Sequence, residues 1–392
     1  MAGPLPGIRV LEMANFISGP YAAMLLADLG ADVVKVELPG TGDPFRGWGE
    51  REGAVRPQFA AYNRGKKSVT LDVRNELGRD VYRKLAATAD VVIENFRPGT
   101  AERMGIGYES LREANPRLVY CAVTGMGSSG PAAHRPTYDA IGQAMSGLWS
   151  VFTDLRDPAT IGPPLSDLLT GLYAAYGILG ALVERERTGC GQRLEASMLS
   201  ASIAFLAEPV ANYLLEGEVS HQTSRPRRSQ SYAFVASDGL PLAIHLSSPP
   251  KFWEALLDAL ERKDLAADPR FRSKADRVRN YDALRAELAA VFRTRPRAEW
   301  LELLERRDVP AAPIKDIAEA LADPQVQHLG MARTFGEGKR AVRLVGYPVA
   351  FDGTPAEPGL PPPDLGEHTA EVLAAMGYGA ADVERLRAEG AV

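Results

Sequence analysis

The stretch that decides the fold is residues 8–37, which read IRVLEMANFISGPYAAMLLADLGADVVKVE. It opens with an apolar run, Ile8–Met13, which predicts a β-strand. A Ser-Gly-Pro sequence then supplies an N-cap and an early proline for a helix over Tyr21–Leu29, and a glycine follows it. A second apolar run, Asp32–Glu37, predicts another strand. The succession of strand, helix and strand is typical of a β-α-β unit.

The same alternation continues through the first 200 or so residues. Further strands are expected at Val69–Val73, Asp90–Glu94, Leu118–Val123 and Arg193–Met198, and further helices at Asn75–Thr88, Tyr108–Ala114 and Ser166–Arg187. Apolar strands of this kind need cover on both faces. The sequence therefore predicts an α/β fold with a doubly wound, Rossmann-like parallel sheet, which binds its ligand at the loops leaving the carboxyl ends of the strands.

A change of composition marks a domain boundary. Residues 216–230 turn polar and basic, which is typical of a linker. Beyond them, Tyr232–Ala236 and Leu240–Leu246 flank a Ser-Asp-Gly turn, and helices are expected near 250–260, 278–293 and 297–307. This second part predicts a small α+β domain. The chain closes with a helical pair, Thr369–Met376 and Ala381–Glu389.

Composition excludes several classes of protein. The 392 residues are 45% hydrophobic and 24% charged, which fits a folded protein of two or three domains. A net charge of -5 argues against general affinity for nucleic acid or an anionic membrane. The first residues lack a signal peptide and no run is long enough to span a membrane, so we expect a cytoplasmic protein. Two cysteines and scattered histidines predict no metal site.

Common catalytic motifs are missing where they would be expected. The first strand-to-helix turn is not G-x-G-x-x-G, and neither a phosphate-binding P-loop nor a G-x-S-x-G elbow occurs. These absences disfavour a nicotinamide dehydrogenase, a P-loop enzyme and a serine hydrolase. What remains is Asp167 at the start of a long helix, where the positive helix end would keep its carboxylate ionised. An ordinary first-turn aspartate is the alternative interpretation.

Basic residues follow two of the predicted strands. The loop 95–99, Asn-Phe-Arg-Pro-Gly, comes directly after the strand ending at Glu94, and Arg97 and Arg103 are candidates for phosphate contacts. A second cluster, Arg64-Gly65-Lys66-Lys67-Ser68, precedes the strand expected at Val69. Either cluster alone is compatible with a solvated surface. Two clusters at strand ends of an acidic protein favour a polyphosphorylated ligand.

Several long motifs, in this order, resemble one family over nearly the whole chain. They are GIRVLEMANFISGPYAAMLLADLGADVVKVELPGTGD, Arg46-Gly47-Trp48, NRGKKSVTLDV, VVIENFRPGTAERMG, NPRLVYCAVTGMG, TGCGQRLEASM and LGEHTAEVLAAMGY. The chain resembles the family III CoA-transferases, which include formyl-CoA and carnitine CoA-transferases and have the α-methylacyl-CoA racemases as relatives. The resemblance implies that CoA enters as a substrate, and that no cofactor is tightly bound.

The resemblance also implies roles for individual residues. Asp167 corresponds to the nucleophilic aspartate of the family. The implied CoA contacts are Ile17, Ser18, Leu71, Asp72, Val73, Arg74, Asn95, Phe96, Arg97, Arg103, Thr137 and Tyr138. Leu38 is a departure, because formyl-CoA transferases and racemases place an arginine there; Arg64, Lys66 or Arg74 are the candidates to compensate.

The implied reaction moves CoA from an acyl-CoA thioester to a carboxylic acid through an aspartyl anhydride and an aspartyl-CoA thioester. Racemisation is the first alternative. Racemases of this kind use a histidine-aspartate pair, whereas this chain has Tyr138-Asp139, and tyrosine with its ordinary pKa of about 10 is a poor proton shuttle at neutral pH. Tyr138 and Asp139 are nevertheless candidate catalytic residues beside Asp167. Asp139 either orients groups near the thioester or caps a helix over Ala140–Leu148. A non-catalytic acyl-CoA binding protein is the second alternative.

Substrate and assembly are also expectations from the resemblance. Formyl-CoA transferases have a glycine run where this chain has Arg228–Asp238 and a glutamine at the position of Ile17, which argues against oxalate and formate. Arg46 and Trp48 are expected to hold the distal carboxylate of an acid such as succinate, a solvated arginine being the alternative. The family forms an interlocked homodimer. The implied large domain is 1–224 completed by 330–392, with a small domain 225–329 and linkers near 216–230 and 325–350.

Overall fold

The computed structural model describes residues 3–48, 56–247, 249–354 and 359–392. The chain divides into two compact units. The large unit comprises the described residues of 1–148, 160–207 and 329–392, and the small unit comprises 149–159 and 208–328.

A six-stranded parallel sheet forms the centre of the large unit. Its strands are β1 (Arg9–Met13), β2 (Asp32–Glu37), β3 (Lys66–Thr70), β4 (Val91–Glu94), β5 (Val119–Thr124) and β6 (Arg193–Ser197). They lie in the order β3-β2-β1-β4-β5-β6, which is the Rossmann order. The chain therefore reverses its direction of winding between β1 and β4, and that point is where folds of this class bind ligands.

Three further strands, β7 (Ser231–Val235), β8 (Pro241–His245) and β9 (Ala311–Pro313), form an antiparallel sheet in the small unit. Two others, β10 (Ala332–Phe335) and β11 (Val342–Val345), form an antiparallel hairpin in the large unit.

The α-helices complete both units. They are α1 (Ser18–Asp28), α2 (Pro57–Asn63), α3 (Glu76–Ala87), α4 (Thr100–Arg103), α5 (Tyr108–Arg112), α6 (Asp139–Ser146), α7 (Leu148–Phe152), α8 (Leu165–Thr188), α9 (Met198–Phe205), α10 (Ala207–Glu216), α11 (Ser224–Ser229), α12 (Pro250–Leu260), α13 (Asp264–Ala267), α14 (Lys274–Arg279), α15 (Tyr281–Phe292), α16 (Arg297–Arg306), α17 (Ile317–Ala322), α18 (Pro324–His328), α19 (Thr369–Ala375) and α20 (Ala380–Ala388).

The sheet of the large unit is covered on both faces. Along β1, Val10 packs into one apolar core with α1 and α8, and its neighbour Leu11 packs into a second core with α3, α19 and α20. Successive side chains of a strand point to opposite faces, so this alternation builds two cores at once. The winding on both faces agrees with the sequence prediction. By length and composition α8 is apolar enough to cross a membrane, and 50% of its most apolar window is buried inside the structure, where it packs on the sheet.

The small unit is an α+β structure with its own core. Its antiparallel sheet packs against helices α12, α15 and α16. Tyr232, Phe234 and Phe292 stack in sequence, with ring centroids 5.9 Å and 4.5 Å apart. The helix expected over 278–293 is two helices, α14 and α15, that meet at Asn280.

The boundary between the units lies near residue 208 and not at 224. No residue of α10 is buried, so this helix is not part of the core of the large unit. Arg225 instead pairs with Glu208, and Arg228 pairs with Glu218. The segment 216–230, expected to be a linker, also contains α11, and the second expected linker, 325–350, contains the β10–β11 hairpin.

The last part of the chain lies along β3, which is an edge strand. Gly65 donates to the backbone oxygen of Leu360 (2.7 Å), and the N–H of Thr70 donates to the Thr369 hydroxyl (3.0 Å). A little further on, the N–H of Asp72 donates to the backbone oxygen of Ala391 (2.9 Å). Residues 360–391 thus take the place of a neighbouring strand, because they provide hydrogen-bond partners for backbone groups at this edge.

Candidate active site

Two asparagines join the strand ends at the switch point of the sheet. Asn15 follows β1 and Asn95 follows β4. The N–H of Asn15 donates to Asn95 Oδ1 (2.9 Å), and Asn95 Nδ2 donates to the backbone oxygen of Asn15 (2.7 Å). This paired contact fixes the two loops that leave the sheet at the position where the fold is expected to bind its ligand.

Three adjoining cavities of the large unit begin at these loops. An outer cavity of about 420 Å³ and a central cavity of about 210 Å³ both touch Asn15 and Phe96. The central cavity and an inner, mainly apolar chamber of about 800 Å³ both touch Phe16, Tyr138 and Asp167. The cavities therefore form a row, with Asp167 where the second meets the third.

Most of the residues that the sequence predicts as CoA contacts line this row. The outer cavity is lined by Leu71, Asp72, Val73 and Arg74, and the central cavity by Ser18, Asn95, Phe96, Arg97, Thr137 and Tyr138. Ile17 lines the apolar chamber. Arg103 lies near the row without lining it, and its guanidinium donates to the Thr100 hydroxyl (2.8 Å).

Asp167 lies in the first turn of α8 and is 7% exposed. Its pKa is raised to about 7: burial is the largest cause, the neighbouring Asp139 also raises the pKa, and the hydroxyl and backbone N–H of Ser18 lower it. The prediction that the helix end keeps this carboxylate fully ionised at neutral pH is therefore wrong. Loss of hydration outweighs the favourable helix end, and the group is divided between its acid and carboxylate forms near pH 7.

Asp139 holds the beginning of α8 in place. Its Oδ1 accepts hydrogen bonds from the backbone N–H groups of Ser166 (2.9 Å) and Asp167 (3.2 Å), and its Oδ2 accepts from Gln143 Nε2 (2.5 Å). Burial raises the pKa of Asp139, and these hydrogen bonds lower it. The sequence allowed Asp139 to cap its own helix, but α6 begins at Asp139 and the carboxylate caps α8 instead. These hydrogen bonds fix the backbone of the first turn of α8, where Asp167 lies.

Close packing of two helices brings Asp167 to Ser18. A side chain at Gly171, one turn after Asp167, would place its Cβ 2.6 Å from the backbone oxygen of Ser18. Only glycine permits α8 to approach the beginning of α1 this closely. The approach sets two hydrogen-bond donors of Ser18 against the Asp167 carboxylate.

Phe16 adopts a left-handed backbone conformation with φ of 65° at the junction of the cavities. Its ring meets the ring of Tyr138 edge to face at 5.8 Å and the ring of Phe45 at 5.3 Å. The N–H of Phe16 donates to Asp43 Oδ1 (3.3 Å). This conformation costs a non-glycine residue about 1–3 kcal/mol. The contacts with Tyr138, Phe45 and Asp43 hold Phe16 in it.

A buried charge network, which was not among the features predicted from the sequence, supports the loop 14–20. Glu12 binds Lys35 Nζ (2.7 Å) and Lys66 Nζ (2.6 Å), and all three side chains are fully buried. Lys35 also binds Asp43 (3.1 Å) and donates to the backbone oxygen of Ala14 (2.7 Å). The signal was available, because a glutamate and a lysine in otherwise apolar strands are unusual.

The basic cluster at 64–68 is not a phosphate-binding loop. Lys66 begins β3, and its Nζ donates to the backbone oxygen of Pro20 (2.8 Å) as well as binding Glu12. Burial lowers the pKa of Lys66 to about 8, although the Glu12 carboxylate raises it. Arg64 is buried against Asp28 (2.6 Å). Neither residue compensates for Leu38, and Arg74, which lines the outer cavity beside it, stays the candidate.

Arg46 also has a different partner from the one expected. Its Nε and Nη2 each donate to Glu37 at 2.7 Å, Nη1 donates to the backbone oxygen of Pro363 (3.0 Å), and the guanidinium stacks on Phe59. These contacts occupy the guanidinium, which corrects its assignment to a substrate carboxylate. Trp48 is 53% exposed and does line the apolar chamber.

No group of three or more His, Cys, Asp or Glu side chains that could hold a metal ion occurs within the described ranges.

The large unit has the strand order, the switch point and the cavities of an α/β protein of the kind that binds nucleotide-containing ligands. Residues 5–369 match the family described as CoA-transferase family III. The chain is 37% identical over 366 residues to an acetyl-CoA:oxalate CoA-transferase of Acetobacter aceti, with 92% of both chains covered. It is 37% identical to a succinyl-CoA:mesaconate CoA-transferase of Haloarcula hispanica, covering 96% of this chain and 97% of that one.

A solved structure is similar to this chain in both fold and sequence. A CAIB/BAIF family protein from Brucella suis superposes with a TM-score of 0.86 at 36% identity, covering 96% of this chain and all of the other. The chain therefore belongs to CoA-transferase family III, as its sequence motifs predict. It is an enzyme of CoA transfer, in a family that acts on CoA thioesters.

Proposed function

We propose that the enzyme transfers CoA from an acyl-CoA to the carboxylate of an acceptor acid, with Asp167 as the nucleophile. The observation that supports this most is the position of Asp167, whose buried carboxylate lies where the central cavity meets the apolar chamber. A thioester placed in the central cavity with its acyl group in the chamber would have its carbonyl carbon beside that carboxylate. Positioned groups of this kind react at high effective molarity.

The reaction consists of four displacements. An Asp167 carboxylate oxygen attacks the thioester carbonyl, the C–S bond breaks, and CoA leaves as thiolate from an acyl-aspartyl anhydride. The thiolate then attacks the aspartyl carbonyl and releases the donor acid, which leaves an aspartyl-CoA thioester. The acceptor carboxylate attacks that thioester to form a second anhydride. Thiolate attack on the acceptor carbonyl releases the new acyl-CoA and restores Asp167. Each step is an acyl transfer without net proton uptake.

The oxyanion that forms in each displacement needs hydrogen-bond donors. The hydroxyl and N–H of Ser18 face the Asp167 carboxylate and would serve when the aspartyl carbonyl is attacked. Asp139, by accepting the N–H groups of Ser166 and Asp167, keeps the first turn of α8 in a fixed position during this change.

The outer cavity is the proposed site of the CoA nucleotide. Leu71, Asp72, Val73 and Arg74 line it, and Arg74 holds Asp72 through two hydrogen bonds of 2.8 and 2.7 Å. The pantetheine arm would pass Asn95, Phe96 and Arg97 in the central cavity, with Arg97 and Arg103 nearest the phosphates.

Transfer is favoured over racemisation by the contacts of Asp139. A racemase needs a second acid–base group opposite Asp167, and both carboxylate oxygens of Asp139 are occupied by structural hydrogen bonds. Tyr138 is 67% exposed, and tyrosine is a weak proton shuttle at neutral pH.

Mass spectrometry after incubation with an acyl-CoA tests the proposal. An adduct on the peptide containing Asp167, removed on addition of an acceptor acid, is expected. Exchange of the α-hydrogen of the acyl-CoA for deuterium without an adduct would establish racemisation instead. If neither an adduct nor exchange is observed, the protein binds acyl-CoA without catalysing a reaction.

We also propose that the enzyme is the interlocked homodimer implied by the family resemblance. Apolar side chains that a second copy would cover are exposed on both units. They include Leu214 and Leu215 of α10 in the small unit, and Tyr176 and Val183 of α8 in the large unit. Sedimentation analysis that returns only a monomer would contradict this part of the proposal.

The pH dependence of the reaction follows from the raised pKa of Asp167. Because the carboxylate is the nucleophile and its pKa is about 7, kcat/KM for the acyl-CoA should fall about tenfold per pH unit below pH 7 and level off above it. Ser18→Ala removes a donor that lowers this pKa, so it should move the profile to higher pH. Initial rates between pH 5 and 9 provide the measurement. A wild-type rate that stays flat down to pH 5 would contradict the assignment.

A further inference from the structure

One lysine of the buried charge network has its ammonium group held on every side. Lys66 Nζ donates to Glu12 Oε2 (2.6 Å), to the backbone oxygen of Pro20 (2.8 Å) and to Asn63 Oδ1 (2.9 Å). An ammonium group has three N–H donors, so each donor has its own acceptor. The Lys66 side chain is fully buried, and these contacts therefore do not depend on a second copy of the chain.

The network holds the loop that carries Ser18 at both of its ends. Lys35 donates to the backbone oxygen of Ala14 before Ser18, and Lys66 donates to the backbone oxygen of Pro20 after it. A single glutamate binds both lysines and so links the two ends. Packed apolar side chains are often as stable as a buried ion-pair network, so stability alone does not account for the charges at this place.

The direction of the Ser18 donors depends on how the first turn of α1 is held. Ser18 is the first residue of α1, so its N–H has no partner within the helix. The side chain of Ile17, which precedes the helix, cannot accept a hydrogen bond and provides no cap. The turn is instead held from outside the helix, by Lys66 through Pro20 and by the close approach of Gly171 to Ser18.

We propose that Lys66 is a positioning residue for the reaction: by holding Pro20, it keeps the hydroxyl and N–H of Ser18 directed at the Asp167 carboxylate. The inference rests on the proposed function, because it takes Asp167 as the nucleophile and Ser18 as the donor to its oxygen. Lys66 is not among the described residues that line the three cavities, so its effect on the reaction passes through Ser18. A displacement of about 1 Å in such a site can lower the rate about 100-fold.

Lys66→Met tests the inference through the pH profile of kcat/KM for the acyl-CoA. Without the ammonium group the Ser18 donors should move away from Asp167, which raises the pKa of the nucleophile. The midpoint of the profile should therefore move to higher pH by about half a unit or more, in the direction expected for Ser18→Ala. A smaller amount of folded protein would lower the rate at every pH and leave the midpoint where it is.

A double-mutant cycle shows whether the effect passes through Ser18. In a Ser18→Ala background, the shift caused by Lys66→Met should be reduced by at least about half. A direct action of the lysine charge on Asp167 would instead persist in full. Asp139 of α6 and Tyr62 of α2 also interact with Asp167, and they are unchanged in these variants.

Two further variants complete the test. Lys67→Met removes the same charge from the next residue of β3, whose partners lie at the surface, and should keep the midpoint within about 0.2 pH units of the wild type. Asn63→Leu is the milder change to use if Lys66→Met does not fold. It removes one acceptor of the ammonium group and leaves the other two, so it should give a smaller shift in the same direction.

The outcomes separate this inference from the proposed function. A wild-type midpoint in whichever of Lys66→Met and Asn63→Leu is folded would overturn the inference, and so would a shift that persists in full in the Ser18→Ala background. Either result would leave Asp167 as the nucleophile. A wild-type enzyme that forms no adduct and has a flat rate down to pH 5 would overturn the proposed function itself.

Discussion

Asp167→Asn is expected to lower kcat by about 10⁴-fold or more, because no covalent intermediate can form without the carboxylate. An amide oxygen is a far weaker nucleophile, and the neighbouring Asp139 cannot take its place since both of its oxygens are engaged. Steady-state rates with an acyl-CoA and an acceptor acid measure the loss, and the mass of the incubated protein should stay unchanged.

Two controls make the result specific. Acyl-CoA should still bind Asp167→Asn, since the outer and central cavities are intact, and calorimetric titration can show this. Asp139→Asn keeps a carbonyl oxygen that can accept the two N–H groups of α8, so its loss of rate should be much smaller. A rate for Asp167→Asn within tenfold of the wild type would show that Asp167 is not the nucleophile.

Lys35→Met is expected to lower the free energy of unfolding by about 3–5 kcal/mol, the usual cost of leaving a buried ion pair without one partner. Burial lowers the pKa of Lys35, but Glu12, Asp43 and Glu37 more than offset this and raise it, so the side chain is a buried cation. Without it, Asp43 loses its cation and the backbone oxygen of Ala14 loses its donor. Urea unfolding monitored by circular dichroism measures the change.

Lys67→Met is the matched control for that variant. Lys67 lies on β3 beside Lys66, but it is partly exposed and its partners Asp32 and Glu371 lie at the surface. Its removal should cost no more than about 1 kcal/mol. Equal effects of the two substitutions would show that the buried network does not have the role described above.

The strands that the sequence predicted well are the ones whose signal is local. Strands β1, β2 and β4 are apolar runs bounded by turns, and each lies within one residue of its predicted bounds. Strand β3 was placed three residues too late, because Lys66 and Lys67 at its beginning resemble a solvated loop. Lys66 is buried because it meets Glu12, 54 residues away, and no local pattern contains that pairing.

Prediction of the candidate site is limited in the same way, because contacts between residues distant in the sequence are not visible in local patterns. The motifs place Asp167, and the position of Asn95 after a strand is readable from the sequence. The raised pKa of Asp167 is not readable, because it arises from burial and from Asp139, which lies 28 residues earlier. The apolar chamber likewise depends on side chains from Phe16 to Asp167 that meet only in the folded chain.

The contact of the final segment with β3 bears on how the protein is made. Residues 360–391 supply partners to Gly65, Thr70 and Asp72, and Asp72 lines the outer cavity. During synthesis, the first strands leave the ribosome hundreds of residues before those partners do. Until then one edge of the sheet is open to pairing with other chains, and the proposed nucleotide site lacks one of its supports. Chaperones that shield open strand edges would therefore matter to this protein until residues 360–391 have been made and have paired with β3.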